Sequence, residues 1–261
     1  MNYHFYAKTD PGRARDNNED SVVFDETTHL AVLADGMGGY NAGEVASGMA
    51  TAFIKSELSR WLSEAGPSAS LKEVRRAMEI CVDNANLSIY NAANSNSSYS
   101  GMGTTLVVAV FWGDRLLVGH IGDSRCYRSR AGAMEQITKD HSLLQEQIDA
   151  GLISPEQAAT SSIKNLVTRA VGVDEAVLFD INEYPIEPGD LYLLCSDGLS
   201  DMVADGVIAK IVTSDADLEL KAAQLIDVAN ANGGRDNISV VMVALKESTE
   251  KRGLIARLLG K

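Results

Sequence analysis

Five short apolar runs, each closed off by Gly, Asp or Asn, limit what this chain can fold into more than any other feature. They lie at 30–34 (LAVLA), 104–111 (TTLVVAVF), 115–121 (RLLVGHI), 190–195 (DLYLLC) and 238–245 (ISVVMVAL). Runs this short and this rich in Val, Leu and Ile read as buried strands. Two long helical patterns, about 42–63 and about 71–93, stand apart from them. In the second, Leu71, Val74, Met78, Cys81, Ala85 and Ile89 recur every three or four residues, which puts one apolar stripe on one helix face. Gly66 and Pro67 break the chain between the two helices. A third helical pattern, about 217–231, precedes the last run. Strands and helices thus come in blocks and do not alternate strictly as in a doubly wound parallel sheet. The order predicts an α+β sandwich of largely antiparallel sheets covered by helices.

At 261 residues and 45% hydrophobic content the chain can build one good core. One domain over 1–247 is expected, followed by a short basic tail over 248–261. The end of the chain, ESTEKRGLIARLLGK, alternates basic and apolar residues. It reads either as a frayed helix or as a docking or membrane-touching segment. The stretch 143–162 is polar and small, with Gly151, Pro155 and AATSS. It reads as a surface insertion, a flap over about 143–165 beside a site.

A second pattern overlies the first. Four times an aspartate closes an apolar run or opens one: Asp35 in LADGMGG, Asp123 in HIGDSR, Asp197 in LLCSDGLSD and Asp236 in GGRDNIS. A carboxylate at a strand end is held by a rigid sheet yet points away from it. Several converging ends make an oxygen-only cage of the kind that hard cations such as Mg²⁺ or Mn²⁺ take. A neighbouring glycine lets the backbone turn sharply and offer its carbonyl as a further ligand. Asp-Gly and Asp-Asn are also ordinary turn pairs. The pattern alone therefore leaves both readings open.

The formal net charge of −13 opposes nucleic acid and anionic membrane as partners and favours divalent cations. The three cysteines, Cys81, Cys126 and Cys195, form no CxxC pair and read as small core residues in a reducing compartment. No apolar leader segment and no 18-residue apolar run occurs, so a cytoplasmic protein without a membrane span is expected. No GxxxxGK[ST] loop or dinucleotide glycine fingerprint supports nucleotide binding.

Eight motifs in order resemble one family. They are GRARDNNEDS (12–21), ADGMGG (34–39) with GEVAS (43–47), GMGTTL (101–106), GDSRCY (122–127), TKDHS (138–142), NLVTRAVG (165–172), LLCSDGLSD (193–201) and GRDNISVV (234–241). The chain resembles metal-dependent protein phosphatases of the protein phosphatase 2C type, in their bacterial form. The resemblance implies a four-layer α-β-β-α sandwich of two mainly antiparallel sheets, with metals in a cleft at one end. It implies hydrolysis of phosphoserine and phosphothreonine in phosphoproteins, opposing a bacterial-type Ser/Thr kinase, by a monomer. Carried over by position, Asp35 bridges two cations, Mn²⁺ or Mg²⁺, and Gly36 lends its carbonyl to the second. Asp197 and Asp236 complete the first. Asp123 with Asp197 holds a third, weaker ion. Glu19 and Asp20 stand behind and orient metal-bound water. Arg15 grips the substrate phosphate. Asp140, His141 and Asn165 read as structural, and Arg169 as part of a framework ion pair.

The implied chemistry is direct attack. Two cations about 3.5–4 Å apart neutralise the phosphomonoester and ready a bridging hydroxide, while Arg15 clamps the non-bridging oxygens with its planar fork. No phosphoenzyme is needed, and the cysteines fit no C-x5-R loop. One departure stands out. Where bacterial members usually read DGMGGH, this chain has Tyr40, and none of its four histidines fills either position that the family uses. The leaving-group proton then comes from a metal-bound water or from Tyr40, with slow turnover on poor leaving groups. Two other readings remain: a non-catalytic sensor that keeps the fold, and a hydrolase of small phosphoesters. The retained aspartates argue against the first.

Overall fold

The computed structural model describes residues 1–39, 42–154, 157–158 and 166–247. Two antiparallel sheets stack face to face. One runs β1 (Asn2–Asp10), β11 (Ile238–Lys246), β10 (Leu191–Cys195), β7 (Arg125–Arg130), β8 (Ala133–Gln136). The other runs β2 (Asp20–Asp25), β3 (Leu30–Met37), β5 (Leu106–Trp112), β6 (Arg115–Ile121), β9 (Asp180–Pro185), with the two-residue β4 (Gly103–Thr104) also on β3. Helices α1 (Ala42–Ala65) and α2 (Leu71–Ser95) cover the second sheet. Helices α4 (Asp197–Ser200), α5 (Asp205–Val212) and α6 (Leu218–Ala231) cover the first. A short helix, α3 (Leu143–Asp149), opens the expected insertion. The architecture is the expected α+β sandwich, in four layers.

Strict alternation builds the three interfaces. On β3, Leu30, Val32 and Ala34 face α1 and α2, while Ala31 and Leu33 face the other sheet. On β5, Leu106, Val108 and Val110 face the helices, and Val107, Ala109 and Phe111 face inward. On β10 and β11, Leu193, Val240 and Met242 meet α6, while Tyr192, Leu194, Val241 and Val243 fill the middle. An antiparallel strand usually wets one face. Here helices dry both, so the central strands read as unbroken apolar runs. Helix α2 starts at a reciprocal capping box, Ser70 with Glu73, directly after the Gly66–Pro67 break.

The structure corrects three details of the sequence reading. Strand β3 does not end before Asp35. It continues through Asp35 and Gly36 to Met37, because β2 pairs Asp20 with Asp35 on one side and β4 pairs Thr104 with Gly36 on the other. The run 104–111 splits at Thr105, whose side-chain oxygen accepts the Asp35 N–H at 3.0 Å. Strands β1, β2, β7, β8 and β9 were not foreseen; they mix polar with apolar residues because they lie toward the edges and rims. Most of the expected flap and the 248–261 tail lie outside the described residues.

Phe111 is 1% exposed between the sheets and packs against the rings of Tyr3, Phe5 and Tyr192. Phe111→Ala is expected to cost about 3–5 kcal/mol, read as a lower midpoint in urea unfolding.

Candidate active site

All four strand-end aspartates gather at one end of the sandwich, with Asp20 among them. Asp35 is pinned by its backbone: its N–H donates to Thr105 Oγ1, and its carbonyl accepts from Thr105 N at 2.8 Å and from Thr104 Oγ1 at 2.9 Å. Asp20 stands directly across the β2–β3 ladder from it. Gly36 donates its N–H to Glu19 O at 3.0 Å. A Cβ at Gly36 would lie 2.1 Å from Gly43 O in the first turn of α1, so only glycine lets the strand approach the helix this closely.

The other aspartates arrive through equally tight turns. Gly198 packs so close to the start of β11 that a Cβ would sit 2.0 Å from Asn237 O; this brings Asp197, at the head of α4, toward Asp236. Asp123 follows Gly122, which takes φ +97 against Thr105. Asp123 is only 7% exposed. Arg15 comes from the loop after β1, and its Nη2 donates to Asp236 Oδ2 at 2.8 Å across 221 positions of sequence. Asp236 Oδ1 accepts from Asn237 N at 2.9 Å.

The carboxylates disturb one another strongly. Burial raises Asp35 well above the ordinary carboxylate range, and the charges of Asp20, Asp197, Asp123 and Asp236 push it further. Burial does the same to Asp197, helped by Asp123, Asp236 and Asp201. Asp123 is raised to about 6 by burial and then by Asp140. Asp20 is raised to about 7, again by burial first, although Ser239 and Ser196 hydrogen bonds pull the other way. Ser196 Oγ donates to Asp20 Oδ2 at 2.8 Å, while Asp20 Oδ1 is buried without a hydrogen-bond partner. Such a cluster is short of positive charge.

The donor set fits divalent cations. It is all oxygen, as hard ions require, and the buried orphan on Asp20 lacks a donor or cation. Among the described residues no three of these side chains close into a finished cage. Asp236, for one, has both oxygens occupied by Arg15 and by the Asn237 N–H. A cavity of about 560 Å³ runs on from Asp123 and Asp197 past Asp201 to the α3 side chains Leu144 and Ile148. Tyr40 lies outside the described residues, as does Asn165.

Sequence reasoning missed the side chains that hold the site together. Asn237 is buried, accepts from Glu19 N at 2.7 Å, and donates to Pro11 O at 3.0 Å and Asn17 O at 2.9 Å. It thereby ties the loop carrying Arg15 and Glu19 to the start of β11. Thr104, Thr105 and Ser196 perform similar service. A polar residue at the mouth of an apolar run was the available signal. Asp140 takes a bidentate Arg125, and Arg169 makes the expected ion pair, reaching Asp180 at 3.4 Å.

The profile described as protein phosphatase 2C matches residues 13–233. The chain belongs to the protein phosphatase 2C family. A Listeria innocua protein named serine/threonine phosphatase stp is 37% identical over 243 residues, covering 92% of this chain and 95% of its own length. The crystal structure of the Mycobacterium tuberculosis serine/threonine phosphatase PstP/Ppp is similar at a TM-score of 0.87 and 37% identity, covering 95% of this chain and 100% of that one. The catalytic domain of PstP in complex with two manganese ions is similar at 0.82 and 37% identity, covering 94% of this chain and 99% of that one. The chain is thus a serine/threonine phosphatase of the bacterial kind, a metal-dependent hydrolase whose substrates are phosphoproteins. Among the described residues no helix is long and apolar enough to cross a membrane.

In protein freed of metal by a chelator, the Asp20 carboxyl holds a proton that the unfolded chain releases. Its contribution is present at low pH and lost as pH rises from about 4 through about 7. Asp20→Asn, which can still accept from Ser196, should therefore stabilise the metal-free protein at pH 8 by roughly 1 kcal/mol or more. The gain should shrink toward pH 5, read in urea melts at both pH values.

Proposed function

We propose that the desolvated cluster at the end of the sandwich is the metal centre of this phosphatase, with Asp35 shared between two cations. Gly36 would offer its carbonyl to the second, and Asp197 and Asp236 would complete the first. Asp123 with Asp197 would hold a third, weaker ion. Glu19 and Asp20 stand behind, orienting water. The observation that carries this reading is the gathering of Asp20, Asp35, Asp123, Asp197 and Asp236 at one all-oxygen place, with Asp20 Oδ1 buried without a hydrogen-bond partner, where desolvation disfavours the carboxylate charges and bound cations would offset it. Bound there, two divalent ions, manganese or magnesium, supply the charge that a phosphomonoester dianion needs and the Lewis acidity that readies a water.

The remaining work falls to side chains. Arg15 is exposed at the rim, where its Nη2 donates to one carboxylate oxygen, Asp236 Oδ2, at 2.8 Å. Its fork suits the non-bridging oxygens of a phosphate, orienting phosphorus for in-line attack. The proton for the departing serine or threonine oxygen comes from water or from Tyr40. Three buried free cysteines accord with a reducing, cytoplasmic setting, where a monomer would oppose a bacterial-type Ser/Thr kinase.

Hydrolysis of a phosphothreonine peptide should stop in EDTA and return with Mn²⁺ or Mg²⁺; chelator-resistant activity would overturn the reading. Arg15→Ala should lower kcat/KM on that peptide by about 10–100-fold, the worth of a charged hydrogen bond or two. Tyr40→Phe and Tyr40→His, compared on the peptide and on p-nitrophenyl phosphate, test the proton source. An effect confined to the peptide supports Tyr40, and no change in either variant removes it from the mechanism.

A further inference from the structure

The insertion that begins at α3 is closed at its stem by a short antiparallel clasp. Leu143 N donates to Leu166 O and Thr168 N to His141 O, both at 2.9 Å, with Ser142 bridging Val167. At this stem the His141 side chain turns inward and is buried. It meets Gly122 twice. His141 N donates to Gly122 O at 2.9 Å, and Gly122 N donates to His141 Nδ1 at 3.2 Å. A backbone N–H can only donate, so Nδ1 is bare and the ring proton sits on Nε2. That nitrogen faces Asp180 Oδ2 at 3.0 Å. Asp180 opens β9 opposite His120 of β6, and the His120 and His141 rings stack at 4.5 Å. The ring is thus fixed on one edge by a carboxylate and on its face by a second imidazole, and it presents a lone pair to the residue before Asp123.

Gly122 needs that restraint. Its left-handed φ disfavours a side chain, and a Cβ there would lie 2.7 Å from Thr105 Cγ2, so the turn cannot be stiffened from within. We propose that His141, oriented by Asp180, is a positioning residue for Asp123, so that the stem of the insertion and the weakest cation site are held as one unit. The inference rests on the assignment of Asp123 as a ligand. It separates the sites: the direct partners of Asp35 and Asp236 are Thr104, Thr105 and Asn237, and His141 is not among them.

Manganese titration of the full chain by calorimetry tests this, with a pair of isosteres. An asparagine amide oxygen falls near Nδ1 and can accept the Gly122 N–H, whereas a glutamine amide reaches the Asp180 side. His141→Ala and His141→Gln are expected to weaken the last binding step by about 10–100-fold, as loss of a ligand's supporting partner does, and to leave the tighter steps within about twofold. His141→Asn should retain most of the affinity, and its Gly122 amide resonance should stay near the wild-type position. Wild-type binding in folded His141→Gln, or Asn no better than Gln, would overturn the positioning role. Asp123→Asn separates the two claims. If it spares all binding, the ligand assignment falls and the inference with it; if it removes the last step while His141→Gln does not, only the positioning role falls.

Discussion

The desolvation of carboxylates crowded at one end of the sandwich is the constraint on which the rest of the structure depends. Asp20 and Asp123 are buried and Asp35 and Asp197 half-buried beside them, so that desolvation first, and then the neighbouring carboxylates, make Asp35 and Asp197 hard to ionise. Lone buried charges are among the costliest features a fold can carry. Left to relax, these side chains would turn outward. They stay because their backbones are locked: Asp35 by two threonines, Asp197 by the packing of Gly198 on β11, Asp123 by the Gly122 turn. Arg15 sits at the exposed rim of the cluster and pairs with Asp236, and Arg125 eases the charge on Asp123. Ions bound at a site built this way would offset the cost and add to the stability of the folded state.

The sandwich provides the stiffness this requires. Central strands dried on both faces leave no room for slippage, since a one-residue shift would exchange the helix-facing and sheet-facing sets entirely. The strand ends are therefore fixed to the same tolerance as the core, and the acidic side chains inherit it. The hydrogen-bonded side chains at the rim, Asn237 above all, then carry that order into the loop that bears Arg15 and Glu19.

Much of this was legible in the sequence where periodicity was strong. Helices α1, α2 and α6 and strands β5, β6, β10 and β11 fall within a few residues of their expected positions, because burial on one stripe or on both faces leaves a plain apolar signature. The edge strands were not legible, since β1 and β9 satisfy only part of their surface with apolar groups and look like loops. The end of β3 was misjudged for a related reason: Asp35 and Gly36 look like a turn, and only pairing with β2 and β4 makes them strand. The acidic ligand candidates were visible as a pattern of strand ends. Asn237, Thr105 and Ser196 were not, because a small polar residue signals its role only through partners distant in sequence.

The register of β1 against β11 joins Asn2 to Lys246 and Asp10 to Ile238. Strand β1 therefore cannot find its neighbour until β11, far along the chain, has been made. Contacts of such long span slow folding and leave an early strand edge open in the meantime. Because the Asn237 clamp on the Arg15 loop lies at the head of that same late strand, the loop is fixed only once β11 is in place. The order of that loop is thus tied to the pairing of two strands far apart along the chain.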